Sequence, residues 1–486
     1  MSPVITQQDL LKSALATDGA FSTTRQFLDW FKKKSGDSAF SVKQIPFDEL
    51  IHWSFDPDTG NLGHNSGKFF TIHGIAVETN SPRRQAWQQP IILQPEIGIL
   101  GIITKSFDGI PHFLMQAKME PGNVNMVQLS PTLQATKSNF SQVHKGKRPL
   151  YFKYFADPDR GDIIVDQLQN EQGARYFNKR NRNVIIAVDE EVPVHDDFCW
   201  LTLGQLKQLL HCDNIVNMDS RTVLSGIQYF TMAERPSLDS EHRDDSIELF
   251  NTRLEGFQKD LYCSLVEQEQ QLHRIEDIIS WFTRQKSKCD VTVTTLPLNE
   301  VQHWKKTDFE IHHESHHYFS VIALAATAGN REVPDWTQPI LKHFDYGLVG
   351  FLVSKINGVL HFLVEAHMCP GYLDLIEMGP SVSCAEYRHR TAASTAPPLT
   401  EYFIDPEEKS VHYSAILSEE GGRFYHFQNR YMIVEIDAGE KLVLPDNYIW
   451  MTFGQLMEFI RHANYINIEA RTLISCLSFT QEGNKF

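Results

Sequence analysis

The distribution of apolar and polar positions along the chain predicts both helices and strands. Four segments carry apolar residues at spacings of three and four, which is typical of amphipathic helices: residues 26–34, 203–210, 278–285 and 453–460. Four others are short, β-branched and largely apolar, as buried strands are: residues 97–104, 183–188, 347–354 and 431–436. Asp108-Gly109 and Asn357-Gly358 follow two of these strands and favour hairpin turns. The pattern therefore predicts an α+β fold.

The order of these segments repeats after about 250 residues. Residues 199–206 (CWLTLGQL) return as 449–456 (IWMTFGQL), and residues 217–224 (NMDSRTVL) return as 467–474 (NIEARTLI). Solenoid repeats have periods of roughly 20–50 residues, so this period indicates a tandem duplication of a whole domain. We expect the two copies to span residues 20–230 and 276–480. The connecting helical segment is expected at 231–275, most of it one amphipathic helix over 246–274.

Composition narrows the classes of partner. The 486 residues include 61 acidic and 45 basic side chains, and the formal net charge is −16, which argues against binding nucleic acid or anionic lipid. No apolar run approaches the ~20 residues of a membrane span, and the start of the chain does not resemble a signal peptide. Seven cysteines without a C-x-x-C pair favour reduced thiols. We expect a cytoplasmic protein with neither nucleic-acid nor membrane partners.

Polar residues share one face of a predicted strand in each copy. In residues 112–120 (HFLMQAKME), Gln116, Lys118 and Glu120 point to the same side, because side chains alternate along a strand. The second copy places Glu365, His367 and Cys369 on the equivalent face. A solvated outer face would explain one copy. Two chemically different polar sets fit better with a face that holds a ligand in one copy and has diverged in the other.

A second polar run follows the Pro-Gly pair that ends each of these strands. Its hydroxyls and amides suit a sugar and a pyrimidine base, although ordinary loop chemistry explains them equally well; they are Asn123, Gln128, Ser130, Thr132, Gln134 and Asn139 in the first copy. Three arginines, Arg175, Arg182 and Arg221, are candidates to clamp a diphosphate. The alternative for each arginine is an ion pair within the protein, for example between Arg221 and Asp219.

One metalloprotease-like motif is a weak signal. Residues 313–317 (HESHH) match H-E-x-x-H, which requires both histidines on one helix face. A strand pattern follows at once, and the first copy lacks the glutamate and the second histidine, so we expect a loop at the start of a strand. The sequence contains no dinucleotide-binding, P-loop or nucleophile-elbow motif.

Long stretches of the chain resemble the NDP-hexose 2,3-dehydratases. The resemblance lies in residues 113–139 (FLMQAKMEPGNVNMVQLSPTLQATKSN), 66–70 (SGKFF), 94–101 (QPEIGILG) and 217–224 (NMDSRTVL). It implies two domains of Nudix-like topology, each a mixed sheet flanked by helices, in a homodimer. It also implies activity on dTDP-4-keto-6-deoxy-D-glucose without a cofactor, and a 3-ketoreductase that receives the product. The Nudix box is not found, so metal-dependent pyrophosphate hydrolysis is not expected.

The resemblance assigns residues to roles. Lys118 and Glu120 are the candidate catalytic pair, with Glu120 as proton shuttle and Lys118 as enolate stabiliser, or the reverse. The substrate-binding set is Ser66, Lys68, Phe70, Gln94, Gln116, Asn123, Gln128, Ser130, Thr132, Gln134, Asn139, Arg175, Arg182, Asn217, Asp219 and Arg221. The second pocket, which we expect to be degenerate, contains Glu365, His367, Tyr372, Arg423 and Arg471. A different nucleotide-sugar enzyme, such as an epimerase or hydrolase, and a non-catalytic nucleotide-sugar-binding protein remain alternatives.

Overall fold

The helices of the two halves follow the same order, except that Lys137–Phe140 has no counterpart among the described residues of the second half. The computed structural model describes residues 5–36, 40–81, 85–140, 148–157, 160–230, 254–328, 335–384 and 397–480. The helices of the first half are Gln7–Leu15, Thr24–Gly36, Lys137–Phe140, Phe152–Ala156, Leu203–Leu209 and Met218–Leu224. Those of the second half are Gly256–Val266, Ile275–Lys288, Glu401–Ile404, Phe453–Phe459 and Ile468–Cys476. No described helix is both long enough and apolar enough to span a bilayer.

The strands correspond one to one. The first half contains β1 Phe40–Ile45, β2 Trp53–Phe55, β3 Leu62–His64, β4 Thr71–Thr79, β5 Ala86–Leu93, β6 Gly98–Phe107, β7 Ile110–Met119, β8 Val127–Ser130, β9 Leu133–Ala135, β10 Asp162–Asn170, β11 Tyr176–Phe177, β12 Arg180–Ala187 and β13 Phe198–Thr202. The second half contains β14 Val291–Leu296, β15 Trp304–Lys306, β16 Glu310–His313, β17 Phe319–Ala328, β18 Asp335–His343, β19 Gly347–Ile356, β20 Val359–Met368, β21 Ile376–Gly379, β22 Val382–Cys384, β23 Val411–Ser418, β24 Phe424–Tyr425, β25 Gln428–Glu435 and β26 Tyr448–Thr452. The predicted α+β class and the duplicated arrangement are confirmed.

Each half forms one seven-stranded mixed sheet of its own. The order is β10-β12-β6-β7-β13 in the first half, with β8 paired to β7 and β9 to β6, and β23-β25-β19-β20-β26 in the second, with β21 and β22 in the corresponding places. The β6–β7 hairpin turns at Asp108 and Gly109, whose φ angles are 52° and 76°. Because both residues tolerate positive φ, the hairpin predicted from Asp-Gly forms at that position.

The two six-stranded sheets exchange strands between the halves. In the first of them, β11-β5-β4-β3-β2, strand β14 from the second half also pairs with β4. In the other, β24-β18-β17-β16-β15, the partner of β17 is β1 from the first half. Both contacts are antiparallel and six residues long, from Phe40 opposite Ala328 to Ile45 opposite Ala323 in one sheet, and from Val291 opposite Thr79 to Leu296 opposite Gly74 in the other. Each sheet is therefore complete only when both halves are present.

The largest apolar core also crosses the boundary between the halves. Phe113 and Leu201 of the first half belong to the same buried cluster as Phe362 and Met451 of the second. Burial of such side chains provides the main favourable free energy of folding. The two halves are thus stabilised by a common core as well as by the exchanged strands.

The predicted continuous helix over residues 246–274 is wrong over its described part. The helix begins at Gly256, where φ is +54°, and ends at Val266, after which Glu267 is extended. Ser264 donates to the Leu360 carbonyl at 2.5 Å, as Ser13 of helix Gln7–Leu15 donates to the Pro111 carbonyl at 2.6 Å. This helix is therefore the counterpart of helix Gln7–Leu15 and not only a connection. Residues 231–253 of the predicted connecting segment lie outside the described residues.

Candidate active site

A cavity of about 1020 Å³ lies between the polar face of β7 and the exchanged six-stranded sheet of the second half. From the first half it is lined by Trp53, His64 and Phe70, and by the predicted polar residues Gln116, Lys118, Thr132, Gln134 and Asn139. The second half contributes Ala325, Ala326, Thr327, Asp335, Trp336, Thr337, Gln338 and Arg423. The cavity is therefore built by both halves of the chain.

The polar face of β7 is not an outer, solvated face. Lys118 faces the cavity and its Nζ lies 3.3 Å from Oε1 of Glu120, with the two side chains only 17% and 6% exposed. Glu120 lies behind Lys118 and does not line the cavity. An ion pair this buried requires further hydrogen bonds to offset the loss of hydration.

Two amides connect Glu120 to the helix Met218–Leu224. The Gln134 Nε2 donates to Oε1 of Glu120 at 3.0 Å, and Asn217 Nδ2 donates to Oε1 of Gln134 at 3.4 Å. Asn217 also caps that helix, since its Oδ1 accepts from the Ser220 backbone amide at 2.8 Å. Gln134 thus holds Glu120 from within the cavity, while Asn217 fixes Gln134.

Four carboxyl groups interact with one another near Lys118, and we define them as the carboxyl cluster: Glu120, Glu171 and Asp219, which are buried, and Glu420, which is half-buried. Burial raises the pKa of Asp219 well above its usual range, and the charges of Glu420, Glu171 and Glu120 raise it further. Burial, and then the charge of Glu420, also raises the pKa of Glu171 to about 7. The Tyr176 hydroxyl donates to Glu420 at 2.5 Å. Like charges at close range oppose each other's ionisation, so the neutral forms of Asp219 and Glu171 are favoured.

The arginines of the two halves are exchanged between the pockets. The Arg423 guanidinium lies 4.3 Å from the Phe70 ring centroid in the first cavity, and that of Arg175 lies 4.4 Å from the Phe319 ring of the second half. Arg175 also donates to His343 at 3.2 Å. The sequence placed Arg175 in the first pocket and Arg423 in the second, and both placements are wrong because the loops that carry them cross to the other half.

The other two predicted phosphate-binding arginines lie away from the cavity. Arg182 forms an ion pair with Asp166, with Nε and Oδ1 2.7 Å apart. Arg221 is fully buried and donates to the backbone carbonyls of Val216 and Ser418 at 2.7 and 2.6 Å. Both guanidinium groups therefore have structural partners, and neither contacts the cavity.

Several predicted binding residues stabilise the loops around the cavity instead of lining it. Asn123 donates to the Met126 carbonyl at 3.1 Å, and Gln128 accepts from the Ser418 hydroxyl at 2.9 Å. Ser130 and Gln94 are buried outside the cavity, and Ser66 and Lys68 lie on an exposed turn. Thr132 touches the cavity, but its hydroxyl accepts from the Ile103 amide at 3.0 Å and donates to the Leu114 carbonyl.

The residues predicted for a second pocket carry a different set of ionisable groups. His367 Nδ1 lies 3.3 Å from Oε2 of Glu365, and the charges of Cys369 and Glu365 raise the pKa of His367 well above its usual range against the opposing effect of burial. Tyr372 is buried beside Cys369, and both side chains surround Gly173 of the first half. Arg471 is buried and donates to the Ile466 and Asn170 carbonyls, so it has a structural role.

The sequence did not indicate the cavity residues on strands β17 and β18 of the second half. Trp336 and Gln338 lie on β18, and the Trp336 indole donates to Gln338 at 3.0 Å while Gln338 donates to the Gly422 carbonyl at 2.8 Å. Arg148 and Asp197 of the first half also line the cavity. The duplication was the only sequence signal for Trp336 and Gln338. At the equivalent positions of the first half, the Trp87 indole donates to Gln89, and Gln89 donates to the Ala174 carbonyl.

The H-E-x-x-H motif does not form a helical metal site. His313 ends strand β16, and the following residues form a turn in which His316 has a φ of 54°. The two histidines of the motif are thus not one turn apart on a helix, as a zinc protease requires. The predicted loop before a strand is confirmed.

A cavity lined by a lysine that is paired with a buried carboxylate is typical of acid–base enzymes. The family model described as NDP-hexose 2,3-dehydratase matches residues 24–227 and again residues 275–477. The chain therefore belongs to the NDP-hexose 2,3-dehydratase family, and the resemblance found in the sequence is confirmed.

Curated relatives share this similarity along nearly the whole chain. A protein of Saccharopolyspora spinosa named dTDP-4-dehydro-6-deoxy-alpha-D-glucopyranose 2,3-dehydratase is 44% identical over 466 residues, which cover 96% of this chain and 93% of that protein. Proteins of the same name from Amycolatopsis orientalis and Streptomyces violaceoruber are 43% and 39% identical, over 96% and 93% of this chain and 92% and 97% of their own lengths.

Proposed function

We propose that this chain is a hydro-lyase that removes the C2 hydroxyl and the C3 proton of dTDP-4-keto-6-deoxy-D-glucose. The product is dTDP-3,4-diketo-2,6-dideoxy-D-glucose, an intermediate of deoxysugar biosynthesis. The observation that carries the proposal is full-length similarity to relatives named for this reaction. The position of Lys118 in the cavity supplies a group that can perform it.

The reaction depends on the acidity of the C3 proton of the sugar. The C4 ketone acidifies the C3 proton, because loss of that proton gives an enolate. The C2–O bond then breaks, and the hydroxyl leaves as water once it is protonated. The resulting C2–C3 enol tautomerises to the 3-ketone. Since C2 is reduced while C3 is oxidised, no external oxidant or reductant is required.

Lys118 is the proposed proton carrier. Its amine can accept the C3 proton and then donate it as an ammonium to the departing C2 hydroxyl, which restores the amine. Glu120 stabilises the ammonium form through the contact at 3.3 Å. Of the two residues that the sequence left open as proton shuttle, Lys118 lines the cavity and Glu120 does not, which supports Lys118.

Charge and aromatic surface suggest how the nucleotide binds. Arg423 and Arg148 are cations of the cavity wall and are the proposed contacts of the diphosphate. Trp53, Phe70 and Trp336 offer apolar surface for the pyrimidine. The polar side chains Gln116, Gln134 and Asn139 remain for the sugar hydroxyls.

The second pocket is proposed to have lost the dehydration reaction. Cys369 occupies the position of Glu120, and Ser383 occupies that of Gln134. His367 and Glu365 keep an acid–base pair, so their variants are the matched controls for those of the first pocket. The two units are proposed at residues 20–230 and 276–480.

The proposal also includes the topology of the repeats, the oligomeric state, the localisation and the enzyme that uses the product. The repeats have Nudix-like topology, the protein is a cytoplasmic homodimer, and the diketone is passed to a 3-ketoreductase. Family membership supports these statements.

The experiment is incubation of the full chain with dTDP-4-keto-6-deoxy-D-glucose in deuterated buffer with EDTA and without nicotinamide. Mass spectrometry should detect loss of one water, with free dTDP and maltol as breakdown products. An intact sugar nucleotide that gains only deuterium would replace the proposal by proton exchange or epimerisation. Unchanged substrate would argue for a binding protein or another sugar nucleotide.

A further inference from the structure

Asp219 occupies an unusual position for an aspartate. It lies in the first turn of helix Met218–Leu224, is 2% exposed, and its Oδ2 has no hydrogen-bond partner among the described residues. Leaving a buried carboxylate oxygen without a donor costs free energy, and protonation lowers that cost. The geometry alone therefore favours the neutral acid.

After burial, the four ionisable groups with the largest effects on the pKa of Asp219 are Glu420, Glu171, Glu120 and Lys118. Glu120 and Lys118 lie on β7 and at its end, Glu171 follows β10, and Glu420 follows β23 of the other half. Three of these four neighbours are carboxyls, and only Lys118 favours the aspartate anion. Oε2 atoms of Glu120 and Glu171 are likewise buried without a partner among the described residues. An additional negative charge at Asp219 would therefore add to those of nearby carboxyls, although Lys179 and Arg471 act on Glu171 of the same cluster.

The contact from Asp219 to the reaction site passes through two amides. Asn217, which caps the same helix, donates to Gln134 at 3.4 Å, and Gln134 donates to Glu120 at 3.0 Å. The second half shows the consequence of losing this connection. There Ser383 and Cys369 replace Gln134 and Glu120, and the Asn467 Nδ2 has no partner among the described residues. The helix turn and the carboxylate on the strand are thus connected only in the first pocket.

We propose that Asp219 is a positioning residue for dehydration that remains protonated during turnover. Its neutrality limits the negative charge behind Lys118, so that Lys118 can give up its proton and the enolate oxygen can develop charge in the cavity. Ionisation of Asp219 would hold Lys118 in the ammonium form and would oppose the enolate. Both effects lower kcat as the pH rises. This inference rests on the proposed function of the first pocket.

The test compares Asp219→Asn with the intact full-length protein, because asparagine preserves the shape and cannot ionise. The dependence of kcat on pH is measured between about pH 6 and pH 10. We expect Asp219→Asn to postpone the alkaline decline of kcat by at least about one pH unit. Glu469→Gln is the matched control, since Glu469 is the buried counterpart of Asp219 in the second pocket. Its profile should coincide with that of the unchanged protein.

Two results would overturn the inference. One is a folded Asp219→Asn protein that loses about a hundredfold or more in kcat at every pH, because the acidic proton itself would then be needed. The other is an alkaline decline at the same pH in both proteins. If Glu469→Gln shifts the profile and Asp219→Asn does not, the catalytic pocket has been assigned to the wrong half. Asp219→Ser, which is also neutral, replaces the asparagine variant if that variant fails to fold.

Urea unfolding supplies a readout that does not depend on turnover. If Asp219 is protonated in the native state, the unfolding midpoint of Asp219→Asn rises relative to that of the unchanged protein as the pH increases from about 5 to 9. No relative rise would overturn the inference even if the substrate assignment is correct. A relative rise without dehydration would instead contradict the proposed function alone.

Discussion

Arg423 of the second half lies over the Phe70 ring of the first half, with 4.3 Å between the guanidinium carbon and the ring centroid. This contact places a cation from one copy of the domain in the pocket of the other. Because Arg423 is anchored by a bond from its Nη1 to the Gly422 carbonyl at 2.8 Å, its orientation is fixed before a substrate binds. The pocket therefore depends on the loop of the opposite half.

Replacing Arg423 by alanine should weaken binding of the sugar nucleotide. The loss of a charge-assisted contact to a diphosphate is expected to raise KM by about tenfold or more and to change kcat less. Steady-state kinetics of Arg423→Ala and Arg175→Ala measure the difference. Arg175 lies in the other pocket, so a larger effect of Arg175→Ala would contradict the assignment.

Replacing Lys118 by methionine should abolish most of the turnover. Methionine fills a similar volume but cannot carry a proton, and loss of a general acid–base group typically costs 10²–10⁴-fold in rate. Glu120→Gln should have a smaller effect, because Glu120 acts through Lys118. Full activity of Lys118→Met, or an equal loss in His367→Gln, would contradict catalysis in the first pocket.

The stability of the fold should depend on Glu377. Burial is the main reason that the pKa of Glu377 is raised to about 7, and Asn170 of the first half donates to this carboxyl. A raised pKa means that the folded state favours the protonated form, so the intact protein loses stability as the pH rises from about 4.5 to 7.

Glu377→Gln removes this titration while an amide oxygen remains to accept from Asn170. Its free energy of unfolding should exceed that of the unchanged protein by on the order of 2 kcal/mol at pH 8, and by little at pH 4. Denaturant unfolding at the two pH values measures the difference. A variant that is less stable at pH 8 would show that the carboxylate is favourable in the fold.

Gly122 should tolerate no side chain. Its amide donates to the Gly421 carbonyl at 2.7 Å, and a Cβ atom on Gly122 would lie 1.8 Å from the Phe424 carbonyl oxygen. Gly122→Ala must separate two backbone segments and should cost about 2–4 kcal/mol in stability. Gly439→Ala is the control, because nothing lies within 4 Å of the corresponding position. Equal melting temperatures for the two variants would contradict this packing.

Most of the helices and strands could be predicted from the sequence, because each depends on the local periodicity of apolar residues. The helix predicted at 278–285 forms as Ile275–Lys288, and the strand predicted at 347–354 forms as Gly347–Ile356. The helix predicted at 246–274 failed, since apolar spacing did not reveal the left-handed start at Gly256 or the extended residue Glu267. Periodicity identifies a face but does not locate such backbone changes.

Only part of the candidate site could be predicted from the sequence. Gln116, Lys118 and Gln134 reach the cavity because alternation along β7 and β9 fixes their direction. Arg175 and Arg423 were assigned to the wrong pockets, since position in a repeat identifies the element that carries a residue but not the sheet against which that element lies. The exchange of β1 and β14 has no local signature, because a strand shows the same alternation whichever neighbour it pairs with.

The exchanged strands have a consequence for the order in which the protein is synthesised. When the first half leaves the ribosome, the part of β4 from Gly74 to Thr79 has no partner on the side away from β5 until β14 has been made. An uncovered strand edge is prone to pair with other chains, so the nascent protein passes through a stage at risk of aggregation. For the same reason, deletion of the second half would leave this edge of the first half uncovered, whichever side chains stand at positions 369 and 383. The strands of the second half are thus needed for the first half to complete its sheet.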